Sequence, residues 1–196
     1  MKINSGPLKG MRIIIPKNEI TRPTLSRVRE AVFNMLRNYL PDAVFWDLFS
    51  GSGALGLVAL SLGAAEVVFV EQDPPAIQAL RQNIEEAKKR FLSNGDEVPQ
   101  IGLLPHEFNR AWENLKKRKQ PDIVWADPPY KESVKWTLFL LKELPSFVSQ
   151  GTLLVMEMLN DDYEAAEKNQ AFVAPQWELV KARKYSSSII VIWRCT

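Results

Sequence analysis

Two short motifs contain residue types that could perform chemistry on a nucleotide. Asp127-Pro128-Pro129-Tyr130 lies 76 positions after Gly51, the first residue of the glycine-rich run 51–56. An amine conjugated to a heterocycle is a weak nucleophile, because its lone pair is delocalised into the ring. A carboxylate and a turned carbonyl that hold its two N–H groups would free that lone pair. Together with a nucleotide-binding turn, the motif predicts methyl transfer to an exocyclic amine.

The four residues of the second motif have separate predicted catalytic roles. The Asp127 carboxylate and the Pro128 carbonyl are the two acceptors, and Pro128 and Pro129 fix the turn so that the carbonyl points inward. Asp127 is also the general base for the released proton. Tyr130 offers a flat face on which the base can stack. A proline-rich turn after a buried strand, with Tyr130 in the core, is the alternative for the motif taken alone.

The glycine-rich turn predicts a nucleotide pocket but does not by itself choose the cofactor. Gly51, Ser52, Gly53 and the residues up to Gly56 read G-x-G-x-x-G, the pattern of NAD-binding dehydrogenases, and simple turn glycines give the same pattern. Glu71, at the end of the next strand, could accept hydrogen bonds from both ribose hydroxyls of either cofactor. Asp47 would repel a pyrophosphate but suits a cationic sulfonium amino acid. The pair favours S-adenosylmethionine over NAD.

Composition restricts the class of protein. A chain of 196 residues with 46% apolar content is most simply one globular domain. One cysteine, Cys195, excludes an intrachain disulfide, and one histidine, His106, leaves no metal-ligand cluster. The amino-terminal residues contain no apolar signal core, and no apolar run approaches a membrane span. We expect a protein of the reducing cytoplasm without a metal and without a membrane partner.

Positive charge is concentrated at the amino-terminal end. Residues 1–40 contain eight Lys and Arg against two Glu, a charge of +6, so residues 41–196 sum to −4 in a chain of net charge +2. This asymmetry favours a polyanion-facing end on an acidic body, although an ordinary solvated face has similar charges. The predicted RNA-binding residues are Arg12, Arg22, Arg27 and Arg29.

The spacing of apolar residues indicates the elements that position these motifs. Thr24 can cap a helix that runs to about Tyr39, after a short strand at 12–15. Strands and helices then alternate, which predicts an α/β, doubly wound, mostly parallel sheet that ends in an antiparallel hairpin. Both motifs fall at carboxyl ends of strands, where such sheets bind ligands. The predicted strands are 43–49, 66–71, 101–104, 122–126, 152–158, 177–184 and 188–194, with helices from Gly53, from Pro74, over 107–118 and over 132–144.

Three stretches resemble a known family. The sequences Arg22 to Leu36, Phe49 to Gly56 and Val70 to Asp73 are similar to the amino-terminal signature, the cofactor loop and the ribose-binding strand end of one group of enzymes. The chain resembles the class I S-adenosylmethionine-dependent methyltransferases, and within them the bacterial 16S rRNA guanine-N2 methyltransferases of RsmD type. The resemblance covers nearly the whole chain.

The resemblance implies a Rossmann-like sheet of seven strands and N2 methylation of one guanine in 16S rRNA, with the assembling small ribosomal subunit as the substrate particle. Together with the charge division, it predicts a basic, RNA-facing extension and first helix at 1–40 and an S-adenosylmethionine-binding catalytic domain at 41–196, in one compact unit. It adds His106 as a candidate next to the adenine. The family loop and strand end bring the predicted cofactor-binding set to Asp47, Phe49, Ser50, Gly51, Ser52, Gly53, Glu71, Gln72 and His106.

Two departures and several alternatives accompany this resemblance. Met11 stands where the family usually has arginine, and Ser186 stands where it commonly has glycine. DNA adenine and cytosine amino-methyltransferases share the Asp-Pro-Pro-Tyr motif but normally need an added segment to read the major groove. Protein-glutamine methyltransferases use a similar turn, usually opened by asparagine. A nucleotide-binding redox protein and a non-catalytic RNA-binding module are alternatives of a different class.

Overall fold

The computed structural model describes residues 2–16 and 31–196, and in these ranges strands and helices alternate. Residues 31–36 are helical (α1) and lead into a 3-10 turn at Arg37–Tyr39. The strands are β1 (Val44–Leu48), β2 (Glu66–Val70), β3 (Gln100–Leu104), β4 (Ile123–Ala126), β5 (Leu153–Leu159), β6 (Trp177–Tyr185) and β7 (Ser188–Cys195). The helices are α2 (Ala54–Ser61), α3 (Pro74–Ser93), α4 (Phe108–Leu115), α5 (Ser133–Glu143) and α6 (Asn160–Lys168).

The strands of the described ranges form one sheet in the order β3-β2-β1-β4-β5-β7-β6. β1 to β5 are parallel, whereas β7 runs antiparallel between β5 and β6. The predicted fold class, a mostly parallel seven-stranded sheet with an antiparallel carboxyl-terminal hairpin, is confirmed. The strand order reverses at β1, between β2 and β4, and such a switch point is where doubly wound sheets bind ligands.

The sheet separates two apolar cores, because successive strand side chains point to opposite faces. The first core face holds the amino-terminal segment, α1, α2 and α3, and the second holds α4, α5 and α6. In β7, Ile190 and Ile192 belong to the first core face, while Ile189 and Val191 belong to the second. The buried apolar side chains within 3–13 and 32–40 are part of the first core. The division into an RNA-facing part and a catalytic part stays a prediction.

The amino-terminal segment folds as a compact loop on α2 and α3. Ile3 N–H donates to the Met11 carbonyl at 3.0 Å, and Leu8 N–H donates to the Ser61 hydroxyl at 3.0 Å. Met11 is 0% exposed. The position at which the resembled family usually has arginine therefore supplies an apolar side chain to the core here.

The predicted strand at 12–15 is wrong, since Arg12 makes only an isolated bridge with Lys2. The reason is the side chain of Asn83 in α3, which is buried. Its Oδ1 accepts from Ile14 N–H at 2.8 Å, and its Nδ2 donates to the Ile14 carbonyl at 2.8 Å and to the Ser52 carbonyl at 2.9 Å. A carboxamide thus takes the hydrogen bonds that a neighbouring strand would have made.

Two further differences concern helices. The predicted helix from Thr24 falls mostly on residues outside the described ranges, which hold its end at 31–36 and the 3-10 turn after it. The helix Asn160–Lys168 was not predicted, although Asp161 and Asp162 in its first turn favour helix initiation. The predicted start of α3 is confirmed: the Asp73 carboxylate accepts from Ala76 N–H at 3.1 Å, with proline in the first turn.

The turn between β6 and β7 carries a backbone conformation that favours glycine. Ser186 has a φ of 53°, a region that costs a residue with a Cβ about 1 kcal/mol or more. Asn160 holds the turn in place, since its Nδ2 donates to the Ser186 carbonyl at 2.6 Å and its N–H to the Ser187 carbonyl at 3.0 Å. The departure from the family's glycine at this position therefore leaves the hairpin intact.

Candidate active site

A cavity of about 730 Å³ opens at the carboxyl ends of the central strands. Its volume falls in the range of small-molecule sites. The loops after β1, β2, β3 and β4 contribute to its wall, as do a side chain of β5 and the turn of the β6–β7 hairpin. It brings together nine of the predicted residues, namely Phe49, Gly51, Glu71, Gln72, His106, Asp127, Pro128, Pro129 and Tyr130.

The turn after β1 is held against β2 by hydrogen bonds. Phe49 and Gly51 have positive φ angles of 63° and 53°, so the chain reverses sharply before α2 begins. The Ser50 hydroxyl lies 2.6 Å from the Asp47 carbonyl oxygen and accepts from Val70 N–H at 3.0 Å. Ser50 therefore does not line the cavity, and its hydroxyl instead fixes the turn against β1 and β2.

Gly53 and Gly56 have no room for a side chain. A Cβ on Gly53, whose φ is 76°, would lie 2.2 Å from the Leu80 Cδ1 atom, and one on Gly56 would lie 2.2 Å from the Phe69 Cε1 atom. These glycines let α2 start close to α3 and β2. Ser52 and Gly53 do not line the cavity, so their predicted contact with a cofactor stays a prediction.

Asp47 is buried beneath the turn and is 1% exposed. Its Oδ2 accepts from the backbone N–H of Gly56 at 2.9 Å, and its side chain is not part of the cavity wall. The direct contact with a cofactor that the sequence suggested for Asp47 stays a prediction.

The Glu71 carboxylate joins the ends of β1 and β2. Its Oε2 accepts from Gly51 N–H at 2.6 Å, and its Oε1 accepts from the N–H groups of Gln72 and Asp73, each at 2.8 Å. An ionised carboxylate has about four acceptor positions, and three are used by these backbone groups. Glu71 therefore fixes the shape of the glycine turn and keeps room for a hydroxyl at Oε2.

The Asp127–Tyr130 motif follows β4 as predicted. Pro128 is buried, Asp127 is half-buried and Tyr130 is 38% exposed at the edge of the cavity. The turn continues into a 3-10 helix over Tyr130–Glu132, and the Ser133 hydroxyl donates to the Tyr130 carbonyl at 2.9 Å. A carboxylate, a rigid backbone turn and an exposed ring therefore lie side by side at one strand end.

Aromatic side chains form an apolar wall next to the glycine turn. The rings of Phe49 and Phe108 stack with centroids 5.1 Å apart, and the ring of Trp136 meets Phe108 edge-on at 4.7 Å. The Lys135 ammonium lies 4.4 Å from the centre of the Trp136 ring. This wall offers an apolar surface to a planar ligand, and a cation at its rim.

Sequence reasoning missed three contributors to the cavity. Glu157 of β5 is 3% exposed and lines the wall together with Asp127. Trp136 and the hairpin turn from Tyr185 to Ser188 are the others. A signal for Glu157 existed, because it is the one acidic residue of the otherwise apolar strand Leu153–Leu159, and acidic residues are rarely buried unless they are paired or hydrogen-bonded.

The structure describes one of the four predicted RNA-binding arginines, Arg12, and this residue does not line the cavity. Arg12 lies instead at a shallow groove beside α3, with Lys2, Lys89 and Arg90. Arg22, Arg27 and Arg29 fall on residues 17–30, outside the described ranges. The role of all four arginines stays a prediction.

Three observations bear on other kinds of site. In residues 2–16 and 31–196, no group of three or more His, Cys, Asp or Glu side chains is arranged to hold a metal ion. Within the same ranges, no helix has the length and apolar character needed to cross a membrane. The Cys195 thiol is buried, and burial raises its pKa, which disfavours the reactive thiolate.

Comparison with known proteins identifies the family of the chain. The family described as "Conserved hypothetical protein 95" matches residues 1–194. The chain belongs to this family. Its members include proteins of the RsmD type, and the fold is that of a class I methyltransferase. The match spans both motifs and the amino-terminal segment.

Individual relatives of this family extend over most of the chain. An Escherichia coli protein named "Ribosomal RNA small subunit methyltransferase D" is 31% identical over 180 residues, which cover 91% of this chain and 82% of the relative. A Bacillus subtilis protein named "Putative rRNA methyltransferase YlbH" is 33% identical over 156 residues, which cover 79% and 80%. The solved structure "Putative methyltransferase yhhF from Escherichia coli" superimposes with a TM-score of 0.77 at 26% identity, and covers 100% of this chain and 97% of that one.

Proposed function

We propose that this protein transfers the methyl group of S-adenosylmethionine to the exocyclic N2 amine of a guanine in small-subunit ribosomal RNA. One observation carries the proposal. The glycine turn with Glu71, which suits a nucleoside, and the Asp127–Tyr130 motif line the same cavity. The relatives named as small-subunit rRNA methyltransferases support the choice of RNA.

The residues that line the cavity have chemical groups suited to binding S-adenosylmethionine. The remaining acceptor position of Glu71 suits a ribose hydroxyl, and the turn at Gly51 brings backbone close to the ligand without a Cβ in the way. Phe49, Phe108 and His106 offer faces and edges to an adenine ring. When bound, S-adenosylmethionine supplies the methyl group, as a sulfonium whose S–C bond breaks while the new N–C bond forms.

The residues that follow β4 make the amine of the base more nucleophilic. The Asp127 carboxylate and the Pro128 carbonyl accept its two N–H groups, so the lone pair is withdrawn from the ring and can form the new bond. Asp127 then takes the proton that the methylated amine releases. Tyr130 stacks on the base, which has left its own stack to enter the cavity.

Glu157 favours guanine over the other amino-bearing bases. Guanine presents N1–H beside its N2 amine, whereas adenine and cytosine present an acceptor nitrogen beside theirs. A carboxylate in the wall can accept from N1–H but would repel a lone pair at that position. A carboxylate has about four acceptor positions, so it can keep a protein partner and still accept from the base.

The substrate we propose is rRNA within the assembling small ribosomal subunit, in the cytoplasm. The charge of +6 over residues 1–40 would bind phosphates there, and Arg12, Arg22, Arg27 and Arg29 are the candidates. The target guanine must leave its stack, so an accessible loop suits the site better than a continuous duplex.

Transfer of a labelled methyl group to different acceptors tests this function. We expect small-subunit particles to be labelled best, ahead of naked 16S rRNA, large-subunit particles and duplex DNA. Mass mapping should place the label on N2 of one guanine. Labelling of DNA, or of a protein glutamine, with none in 16S rRNA would reject the proposal and support the corresponding alternative. Binding of NAD with no methyl transfer would support a redox protein.

Replacement of Glu157 by glutamine tests the choice of base. The wild-type protein should methylate rRNA with 2,6-diaminopurine at the target position roughly tenfold to a hundredfold less efficiently than guanine, which corresponds to about 1–3 kcal/mol for a mismatched buried hydrogen bond. Diaminopurine keeps the N2 amine but has an acceptor at N1. Glu157→Gln should lose most of this discrimination, because its amide can donate to N1. The measurement is kcat/KM for the two ligated rRNAs.

The matched control is Glu97→Gln, an identical change in an exposed loop far from the cavity. It should leave the ratio of the two substrates unchanged. If Glu157→Gln keeps the wild-type ratio while its kcat falls, Glu157 positions the site without reading the base.

A further inference from the structure

The strand β6 carries two cations beside the cavity that have no ion-pair partner in residues 2–16 and 31–196. Over Trp177–Tyr185 there are three basic residues and one acidic residue. β6 is one of the two outer strands of the sheet, and Lys181 and Arg183 are exposed. Among the ion pairs of the described residues, neither of the two takes part in one. The third cation, Lys184, pairs with Glu164 of α6.

The two sides of β6 can be assigned from its register with β7. Lys181 lies opposite Ile192 and Arg183 lies opposite Ile190, and both isoleucines belong to the first core face. Lys184 lies opposite Ile189 of the second core face. Directly opposed residues of an antiparallel pair share a face. Lys181 and Arg183 therefore lie on the side of the sheet that also holds α1 and the amino-terminal segment.

Lys181 and Arg183 lie close to the cavity along β6. Tyr185, which ends β6, lines the cavity, and so does the turn that follows it. Two residues along a strand span about 6.6 Å, so Arg183 is one such step from the cavity wall and Lys181 is two. The Arg183 guanidinium lies 5.3 Å from the centre of the Tyr185 ring, which orients it toward the cavity end of the strand.

Protection of a sheet edge explains only part of this charge. Lysines and bulges keep outer strands from pairing with other chains, and β6 has a bulge between Leu179 and Lys181. Such protection does not depend on which face carries the charge. On the second core face, Lys184 forms an ion pair with Glu164. On the first core face, Lys181 and Arg183 have no acidic partner among the described residues. This asymmetry favours an external anion on the first core face.

We propose that Lys181 and Arg183 form a phosphate-binding ridge that contacts the RNA strand next to the methylated nucleotide. The proposal rests on the proposed function, since it takes the nucleotide in the cavity to be part of RNA. A base inserted beside Tyr130 brings its flanking phosphates to the cavity mouth, which the β6–β7 turn borders.

The double variant Lys181→Ala/Arg183→Ala tests the ridge against the matched single variant Lys184→Ala. All three positions are exposed residues of one strand, and Lys184 differs by its face and by its pairing with Glu164. Binding to small-subunit particles is measured over a series of salt concentrations. For the double variant we expect KM to rise about tenfold, with kcat retained, and the slope of log Kd against log salt to fall by roughly 1.4 for two lost contacts to single-stranded phosphates.

The control outcomes separate the ridge from the proposed function. Lys184→Ala should keep wild-type KM and slope within about twofold, and all variants should bind S-adenosylmethionine as the wild type does. A double variant that matches Lys184→Ala in both KM and slope overturns the ridge, provided that the wild type methylates RNA. A wild-type protein that neither binds nor methylates RNA overturns the proposed function and the ridge with it.

Discussion

Replacement of Asp127 by alanine is expected to lower kcat by at least about a hundredfold, with cofactor affinity and fold retained. The side chain is both an acceptor for the amine and the base for its proton, so the loss should appear in kcat and not only in KM. Asp127→Asn keeps one acceptor oxygen and loses the base, so it should be less impaired than alanine. Single-turnover methylation of small-subunit particles measures the chemical step directly.

Asp96→Asn is a suitable control for this prediction, because it changes the charge equally in an exposed loop after α3. It should retain wild-type kcat. Circular dichroism and cofactor calorimetry on the Asp127 variants establish that they are folded and loaded. An Asp127→Ala protein with wild-type kcat would end the mechanism proposed for the end of β4.

Replacement of Glu71 by alanine should weaken S-adenosylmethionine binding by roughly tenfold to a hundredfold, about 1–3 kcal/mol for lost hydrogen bonds to a charged acceptor. Two effects contribute. The ribose loses an acceptor, and Gly51 N–H loses the partner that holds it at 2.6 Å, so the turn is no longer fixed in the shape that receives the cofactor. Calorimetry with S-adenosylmethionine and with its demethylated product measures both affinities.

Glu66→Ala, at the opposite end of the same strand, removes the same charge away from the cavity and should keep wild-type affinity. NAD should bind neither the wild type nor the variants. Unchanged affinity in Glu71→Ala, or NAD binding to the wild type, would contradict the assignment of this carboxylate and of the cofactor.

Local signals explain what the sequence could predict. The glycine run and the two prolines after β4 each determine a turn within a few residues, and the strand ends at Glu71 and Asp127 follow from apolar runs. Because these turns lie at the carboxyl ends of parallel strands, they had to meet at one edge of the sheet. Those parts of the cavity could be predicted before any coordinates were known.

The remaining parts depend on contacts distant in sequence. Glu157 enters the cavity because β5 lies next to β4, and the hairpin turn reaches it because β7 inserts between β5 and β6. Neither pairing is determined by nearby residues. Ile14 illustrates the opposite error: an apolar, β-branched segment predicts a strand, but the side chain of Asn83, 69 positions away, takes its backbone hydrogen bonds.

The same Asn83 carboxamide joins the amino-terminal segment to the turn after β1. It holds Ser52, in the turn proposed to bind the cofactor, and Ile14, within the segment 1–40 proposed to face RNA. Any coupling free energy that passes through this side chain is reciprocal: if the cofactor tightens RNA binding by some factor, RNA tightens cofactor binding by the same factor. The total free energy of forming the ternary complex is then the same whichever substrate binds first. An affinity measured for one substrate therefore depends on how far the site for the other substrate is occupied.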